Sequence, residues 1–414
     1  MFKQLSHLLK SGEVKRLLEN FFSLSILKLV NAILPFVTLP YLIKVLGFQQ
    51  YGAIVLALSL ITYFQAITDY GFNLSATREI AQHRHSNKQL IYIYNKTMIS
   101  KIILLIFSLL CLCGLILFVP QFRADFLVYS LMCLMLIGQT LFPEWFFRGV
   151  EQMRYITILD LAVKFSFTVG VFVLIKKPED YWIYPLLYGT GFFLVSMIAH
   201  ILILKKYKIN FVFIKLNKIL TNLKKNSSLF INQFMPNFYN NTTTFLIGML
   251  LGNVAAGLFG AIRQITNILS VFNAVISMVF FPYLVRKKEK FYLFSKFYLV
   301  GFFVLTISLI LIHPLIFKWL GVVDNNLSLI FNMLSFGVFF IAVYSLYSTN
   351  YLIPRGYDRV VLKNTLFISM LGLISSYPLI KVFGLIGGAI NIAFAQFLMG
   401  ISSYFYYRKV IKKL

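Results

Sequence analysis

The placement of charge along this chain decides what it can fold into. About twelve apolar stretches, each near the length of a bilayer-spanning helix, alternate with short loops. Lys and Arg crowd every second loop. Of the 39 basic residues, only Lys44, Arg123, Lys176, Lys177, Lys318 and Lys381 fall on one side of the resulting plot, and five lie inside apolar stretches. The others all fall on the opposite side. Such asymmetry marks a polytopic membrane protein and predicts that the basic loops and both termini are cytoplasmic. It also accounts for a net charge of +26, which would otherwise point to nucleic acid. With the basic footprint repeated in every inner loop, no nucleic-acid partner is expected.

Composition agrees. Apolar residues make up 59% of the 414 residues and charged residues only 13%, whereas a soluble domain carries about 25% charged residues. Runs such as Ile102 to Val119 and Phe192 to Leu204 are continuously apolar, without the period-two alternation of a membrane barrel. Helices are therefore the expected spanning element. The predicted spans are 21–43, 53–75, 97–119, 126–147, 155–175, 182–204, 229–251, 258–282, 292–317, 327–350, 361–381 and 385–407. Met1 to Asn20 reads as a basic amphipathic stretch on the membrane surface rather than a cleaved leader. Cys111, Cys113 and Cys133 read as buried small residues without a disulfide or a metal. His83 and His85 form a short pair without carboxylate support, so no metal site is expected there.

The two halves read as repeats. Leu46-Gly47 is followed by Gly52, and Leu251-Gly252 by Gly257, at an offset near half the chain length. Six spans per half give copies of the same orientation. The expected architecture is all-α, with two six-helix lobes related by a pseudo-two-fold axis along the membrane normal and a central cavity. The N-terminal lobe would cover residues 1–207, a cytoplasmic amphipathic linker 208–225 and the C-terminal lobe 226–414. The Lys205 to Lys225 segment reads as a connection lying on the anionic inner leaflet. No phosphate-cradling Gly-rich loop is present, so neither ATP hydrolysis nor a cofactor is expected.

Polar groups inside the spans carry the functional signal. Each ionisable one costs about 2.5–3.5 kcal/mol at a helix centre, so it should face a partner or a cavity. Lys28, Asn31, Pro35 and Thr38 share one helical face. Similar stripes are Thr62, Gln65, Asp69 and Asn73; Thr140, Glu144, Arg148 and Glu151; and Thr157, Asp160, Lys164 and Thr168. In the second half they are Gln233, Asn237, Asn240 and Thr244, then Arg263, Asn267, Ser270, Asn273 and Ser277. Two readings stand side by side: the stripes line an aqueous cavity, or they are interhelical hydrogen-bond glue. Lys28 and Arg263 favour a cavity, because neither has an acidic residue within a helical turn. Asp160 with Lys164, and Glu144 with Arg148, have the spacing of self-neutralising pairs. Asp69, Arg78 and Glu79 read either as a gate network or as interface residues. Cations in a cavity imply an anionic cargo such as a phosphate or pyrophosphate. The acidic residues are candidates for carrying coupling protons.

Several segments resemble a known family: Leu34 to Gly47 (LPFVTLPYLIKVLG), Tyr51-Gly52, Asp69 to Ala81 (DYGFNLSATREIA), Pro143 to Met153 (PEWFFRGVEQM), Gly257 to Ile265 (GLFGAIRQI) and Phe281-Pro282-Tyr283. They are similar to the polysaccharide repeat-unit (O-antigen, Wzx-type) flippases of the multidrug/oligosaccharidyl-lipid/polysaccharide exporter superfamily. The resemblance covers essentially the whole chain. It implies a transporter, not an enzyme, of the bacterial inner membrane. It would turn an undecaprenyl-pyrophosphate-linked oligosaccharide from the cytoplasmic to the periplasmic leaflet for O-antigen or capsule synthesis, by ion-coupled alternating access. Membrane lipids, a polysaccharide polymerase and a chain-length regulator are the partners it implies. Asp69, Arg78, Glu144, Arg148 and Arg263 fall within the matching motifs. Lys28 does not belong to the family pattern and rests on its own placement. The alternatives are an ion-coupled small-molecule or multidrug exporter of the same superfamily, and a membrane enzyme acting on the same carrier lipid.

Overall fold

The structure is a computed structural model that describes residues 12–235, 237–286, 288–321 and 325–411. Among these the chain is helical almost throughout and no strand occurs. Nine stretches of the described residues are long and apolar enough to cross a membrane. Two of them, Ile26–Gln82 and Asp358–Ile411, run 57 and 54 residues, about twice what one crossing needs. Each breaks at a glycine of positive φ, Gly47 (71°) and Gly384 (57°). With the shorter apolar helix Asn237–Leu251, the described residues supply twelve crossings, and the chain is a multi-pass membrane protein. Large apolar side chains such as Phe118 (86% exposed), Phe297 (72%) and Leu311 (73%) face outward. They belong against lipid rather than water.

The helices are α1 (Gly12–Asp69), α2 (Phe72–Gln82), α3 (Asn87–Phe118), α4 (Pro120–Ala124), α5 (Phe126–Leu141), α6 (Glu144–Gly149) and α7 (Met153–Leu174). Then follow α8 (Ile183–Tyr207), α9 (Leu216–Phe234), α10 (Asn237–Leu251), α11 (Asn253–Arg286), α12 (Phe291–Leu320), α13 (Asn325–Tyr344), a π-helix (Ser345–Leu352) and α14 (Asp358–Ile411). They form two compact units. Unit 1 holds Met1–Asn31, Ile61–Lys176 and Trp182–Gln233, and unit 2 holds Ala32–Leu60, Lys177–Tyr181 and Phe234–Leu414.

In unit 1, α5 packs on α8, α7 on α8, and α2 on α6. The tryptophan motif is core: Trp145 and Phe146 are fully buried, with Tyr94, Phe142 and Phe192 around them. Thr77 Oγ1 donates to the Trp145 carbonyl at 3.1 Å, which ties α2 to α6. The predicted second span ends early. A turn at Tyr70 (φ 44°) and Gly71 (φ 77°) stops α1 at Asp69, and the Tyr70 ring stacks on Phe230 at 4.6 Å. The fourth span is also broken, because Pro143 follows Phe142 and helical backbone is disfavoured just before a proline. Glu151 therefore leaves the stripe it was assigned to; its φ is 56° and it pairs with Arg84 at 2.9 Å.

The connection after α8 is docked on protein. The Asn95 side chain donates to the Asn210 carbonyl and accepts from the Val212 N–H. Asn222 donates to Ser100 Oγ at 3.2 Å, and Ile209 and Ile219 are buried. The helix α9 runs through residue 225 without interruption. The reading of Met1 to Asn20 lies largely outside the described residues, which resume within α1. The cysteines differ from expectation as well: Cys113 is exposed and Cys111 and Cys133 are half-buried. They lie on helices whose outer faces, such as Leu110 and Leu117 on α3, meet lipid.

The glycine repeat has a structural cause, and all four glycines lie in unit 2. Gly47 and Gly252 both hold positive φ (71° and 88°), each ending one helix and starting the next. Gly52 and Gly257 touch each other. A Cβ on Gly52 would fall 1.7 Å from the Asn253 carbonyl oxygen, and one on Gly257 would fall 2.4 Å from that of Phe48. Backbone approaches this close admit only glycine. By contrast, a Cβ on Gly301 meets nothing within 4 Å. We expect Gly52→Val or Gly257→Val to cost upwards of about 3 kcal/mol through overpacking and to collapse the yield of folded protein in detergent. Gly301→Ala should leave the thermal unfolding temperature unchanged or raise it, since Ala is the better helix former.

Candidate functional site

Polar groups gather in two places, one inside each unit. In unit 1 a cavity of about 150 Å³ is lined by Gln65, Asp69, Asn73, Lys101, Thr140 and Glu144, among others. Its walls come from helix ends. Asp69 is the last residue of α1, where the helix dipole disfavours a carboxylate, and Glu144 is the first of α6, where it favours one. Lys101 enters from α3, is only 3% exposed, and lies 3.9 Å from Asp69 Oδ1. That oxygen is buried and has no hydrogen-bond partner. Gln65 donates to Gln139, and Thr140 donates to Thr68 at 3.0 Å.

The neighbouring acids Glu144 and Asp160 are paired. Arg148 holds Glu144 at 2.5 Å. Lys164 pairs with Asp160 on α7 and also donates to Asn31 of α1. Asp69, Lys101, Glu144 and Arg148 act on one another electrostatically, Glu144 reaches Asp160, and Lys28 lies within range of Arg148. Seven predicted residues, Lys28, Asn31, Asp69, Glu144, Arg148, Asp160 and Lys164, thus fall in one network. Arg78 does not join it. It is exposed on α2, while its neighbour Glu79 pairs with Lys96 at 2.5 Å.

Lys101 was missed by sequence reasoning, and the missing step was small. It is a cation inside a predicted span with no acid within a helical turn, the same argument that singled out Lys28. Its partner Asp69 lies on another helix, which spacing along one segment cannot show.

In unit 2 a cavity of about 330 Å³ is lined by Asn240, Arg263, Asn267, Ser270 and Gln396, among others. Arg263 Nη1 donates to the Asn240 carbonyl (2.8 Å) and to Thr244 Oγ1 (2.5 Å), and Nη2 donates to Asn240 Oδ1 (3.4 Å). These are neutral partners. Among the described residues no carboxylate forms an ion pair with Arg263. A guanidinium has five donors, so two remain beyond the bonds described. Gln396 adds a buried Oε1 without a hydrogen-bond partner; it was not singled out in the sequence because no polar residue stands three or four positions from it. Asn267 is exposed toward this cavity, whereas the side chains of Gln233 and Asn237 lie outside the described residues. Asn273 and Ser277 serve as glue, bonded to Ser345 and Asn350 of the π-helix.

A family model described as "Polysaccharide biosynthesis protein" matches residues 17–288. The chain belongs to that family. Among the relatives of this polysaccharide biosynthesis protein is the "Putative O-antigen transporter" of Escherichia coli strain K12, 24% identical over 382 residues, 90% of this chain and 92% of that one. A protein of the same name from Shigella dysenteriae is 22% identical over 92% of this chain and 97% of its own length. Among solved structures, an inward-facing multidrug resistance MATE family transporter of the MOP superfamily aligns with a TM-score of 0.69 at 14% identity, covering 94% of this chain and 98% of that one. The fold is that of these twelve-helix, two-lobe transporters. The relatives are named as transporters rather than enzymes.

Breaking a buried ion pair from one side leaves the other charge uncompensated. Lys101→Met should therefore destabilise the protein by about 3–5 kcal/mol. The double change Asp69→Asn with Lys101→Met should cost clearly less, as read by thermal unfolding in detergent. A double loss equal to the sum of the two single losses would show that the pair is not coupled.

Proposed function

We propose that this polysaccharide biosynthesis protein is a flippase of the bacterial inner membrane. It moves an undecaprenyl-pyrophosphate-linked oligosaccharide from the cytoplasmic to the periplasmic leaflet, for O-antigen or capsular polysaccharide synthesis, by ion-coupled alternating access. Residues 1–207 and 226–414 serve as its two halves, with both termini cytoplasmic in keeping with the basic inner loops. The relatives' names support the cargo class. The observation that carries the reading is Arg263, a cation inside an apolar bundle whose described partners are all neutral. A charge so placed calls for an anion. Pyrophosphate fits a guanidinium fork, and the surrounding Asn240, Asn267 and Gln396 suit hydroxyl-rich sugar. A cationic drug would be repelled there, which argues against the multidrug reading.

Unit 1 is the coupling device in this proposal. Asp69, with its unpartnered oxygen, takes up and releases the proton. Lys101 already occupies the place a metal cation would need, and Arg148 and Lys164 neutralise Glu144 and Asp160. A proton rather than sodium is therefore the coupling ion. Lys28 adds positive charge to unit 1, within range of Arg148, and serves the coupling network there. Direction follows from the membrane potential: each negative charge moved outward across an inside-negative membrane releases about 2.3 kcal/mol per 100 mV.

Arg263→Ala and Lys28→Ala should each reduce surface polysaccharide at least tenfold in cells while the protein still inserts, and Arg263→Lys should keep part of the activity. Normal surface glycan in both Ala variants would exclude the cationic mechanism. In proteoliposomes an imposed pH gradient should drive flipping and a sodium gradient should not, and Asp69→Asn should abolish the response. Sodium-driven flipping would overturn the role given to Lys101.

A further inference from the structure

Another cavity in unit 2, mostly apolar but edged by cations and tyrosines, has no part in the proposal above. It measures about 430 Å³ and lies where the start of α12 and the end of α14 meet the π-helix. Its walls include Tyr292 and Lys296 from α12, Tyr347 from the π-helix, and Tyr404, Tyr407 and Arg408 from α14. Leu299 and Ile411 give it an apolar side.

The site is built rather than incidental. Tyr347 is 8% exposed, and its ring packs on Tyr407 at 4.6 Å and on Tyr404 at 5.3 Å. Tyr351 backs Tyr407 at 4.6 Å and carries Arg355 over its own face at 3.6 Å. Tyr347 takes its position from an eight-residue π-helix. Such helices are rare, poorly favoured and concentrated at functional sites. Here three hydrogen bonds hold it: Asn273 to Ser345 (2.8 Å), Ser277 to Asn350 (3.3 Å), and Ser348 with Ser403 (2.8 Å). The two cations of the cavity rest against aromatic faces, Lys296 over Tyr292 (4.8 Å) and Arg408 over Tyr404 (6.0 Å). Among the described residues neither forms an ion pair with a carboxylate.

We propose that this tyrosine-walled cavity binds the phosphodiester headgroup of an anionic phospholipid. An arginine fork and a lysine point charge match a phosphodiester whose single negative charge is spread over two non-bridging oxygens. Tyrosine hydroxyls donate to the same oxygens and to a glycerol, and Leu299 and Ile411 receive the first methylenes of the acyl chains. The cavity stands at the end of unit 2 where the last turn of α14 carries Arg408 and Lys409, a basic end suited to an anionic leaflet. Two uncompensated cations argue against a neutral glycan as the resident ligand. The bound lipid pins α12 to α14 through the π-helix.

The test is native mass spectrometry of the full-length protein, purified in detergent and titrated with phosphatidylglycerol or phosphatidylcholine. The wild type should hold one phosphatidylglycerol more tightly than any phosphatidylcholine. Lys296→Gln and Arg408→Gln should each weaken that adduct by roughly fivefold, about the contribution of one basic residue at an anionic surface. Lys296→Arg with Arg408→Lys should restore it, and Lys381→Gln, outside the cavity, should not change it. Because removal of two surface cations could unfold a protein for other reasons, the unfolding temperature is read first without lipid, where wild type and variants should agree. Phosphatidylglycerol should then raise it in the wild type alone. Three results would each overturn the proposal: equal adducts in wild type and Gln variants, equal binding of phosphatidylcholine, or displacement of the lipid by millimolar inorganic phosphate. This inference stands whether or not the flippase reading does.

Discussion

A charge in an apolar bundle has to be matched, because water is not there to do it. The two units meet that demand differently. In unit 1 every acid of the interior has a cation near it: Lys101 for Asp69, Arg148 for Glu144 and Lys164 for Asp160. In unit 2 the guanidinium of Arg263 is held by a carbonyl, a hydroxyl and an amide. One unit thus carries its compensation with it, and the other leaves a positive charge for a ligand to complete. The division of labour proposed here, coupling in unit 1 and cargo in unit 2, follows from that difference.

The backbone is shaped to make these placements. The turn at Tyr70-Gly71 ends α1 so that Asp69 stands at a helix terminus, and the break at Phe142-Pro143 does the same for Glu144. Behind them, Trp145, Phe146 and Phe147 fill the core of unit 1. The tryptophan motif therefore does two things: its aromatic residues anchor α6, and its charged ends, Glu144 and Arg148, enter the network. In unit 2 the contact between Gly52 and Gly257 brings two helix starts to backbone distance.

Much of this was legible in the sequence, for physical reasons. Hydropathy and the basic loops gave the spans, since lipid forces each crossing to be apolar and helical. The paired glycines betrayed the repeat, because positive φ and close approach both exclude a side chain. Spacing of four residues found Glu144 with Arg148 and Asp160 with Lys164. What spacing could not show was contact between helices. Lys101 and Asp69 are 32 positions apart, and Asn31 meets Lys164 across 133. Periodicity also ran too far where helices break, which carried Glu151 into a stripe it does not join. The basic connection after α8 was read as an amphipathic segment on the inner leaflet, and spacing could not show that Ile209, Ile219 and Asn222 are buried against protein.

The central claim is that Arg263 awaits an anion supplied by the cargo. Binding of a short-chain polyprenyl-pyrophosphate-linked sugar to purified protein, compared with the same lipid as an uncharged alcohol, tests it most directly. The wild type should prefer the pyrophosphate by at least tenfold, roughly the 1.5–3 kcal/mol of one charged hydrogen-bonding contact. Arg263→Gln should bind both lipids alike, at the level of the alcohol. A pyrophosphate preference that survives Arg263→Gln unchanged would contradict the account.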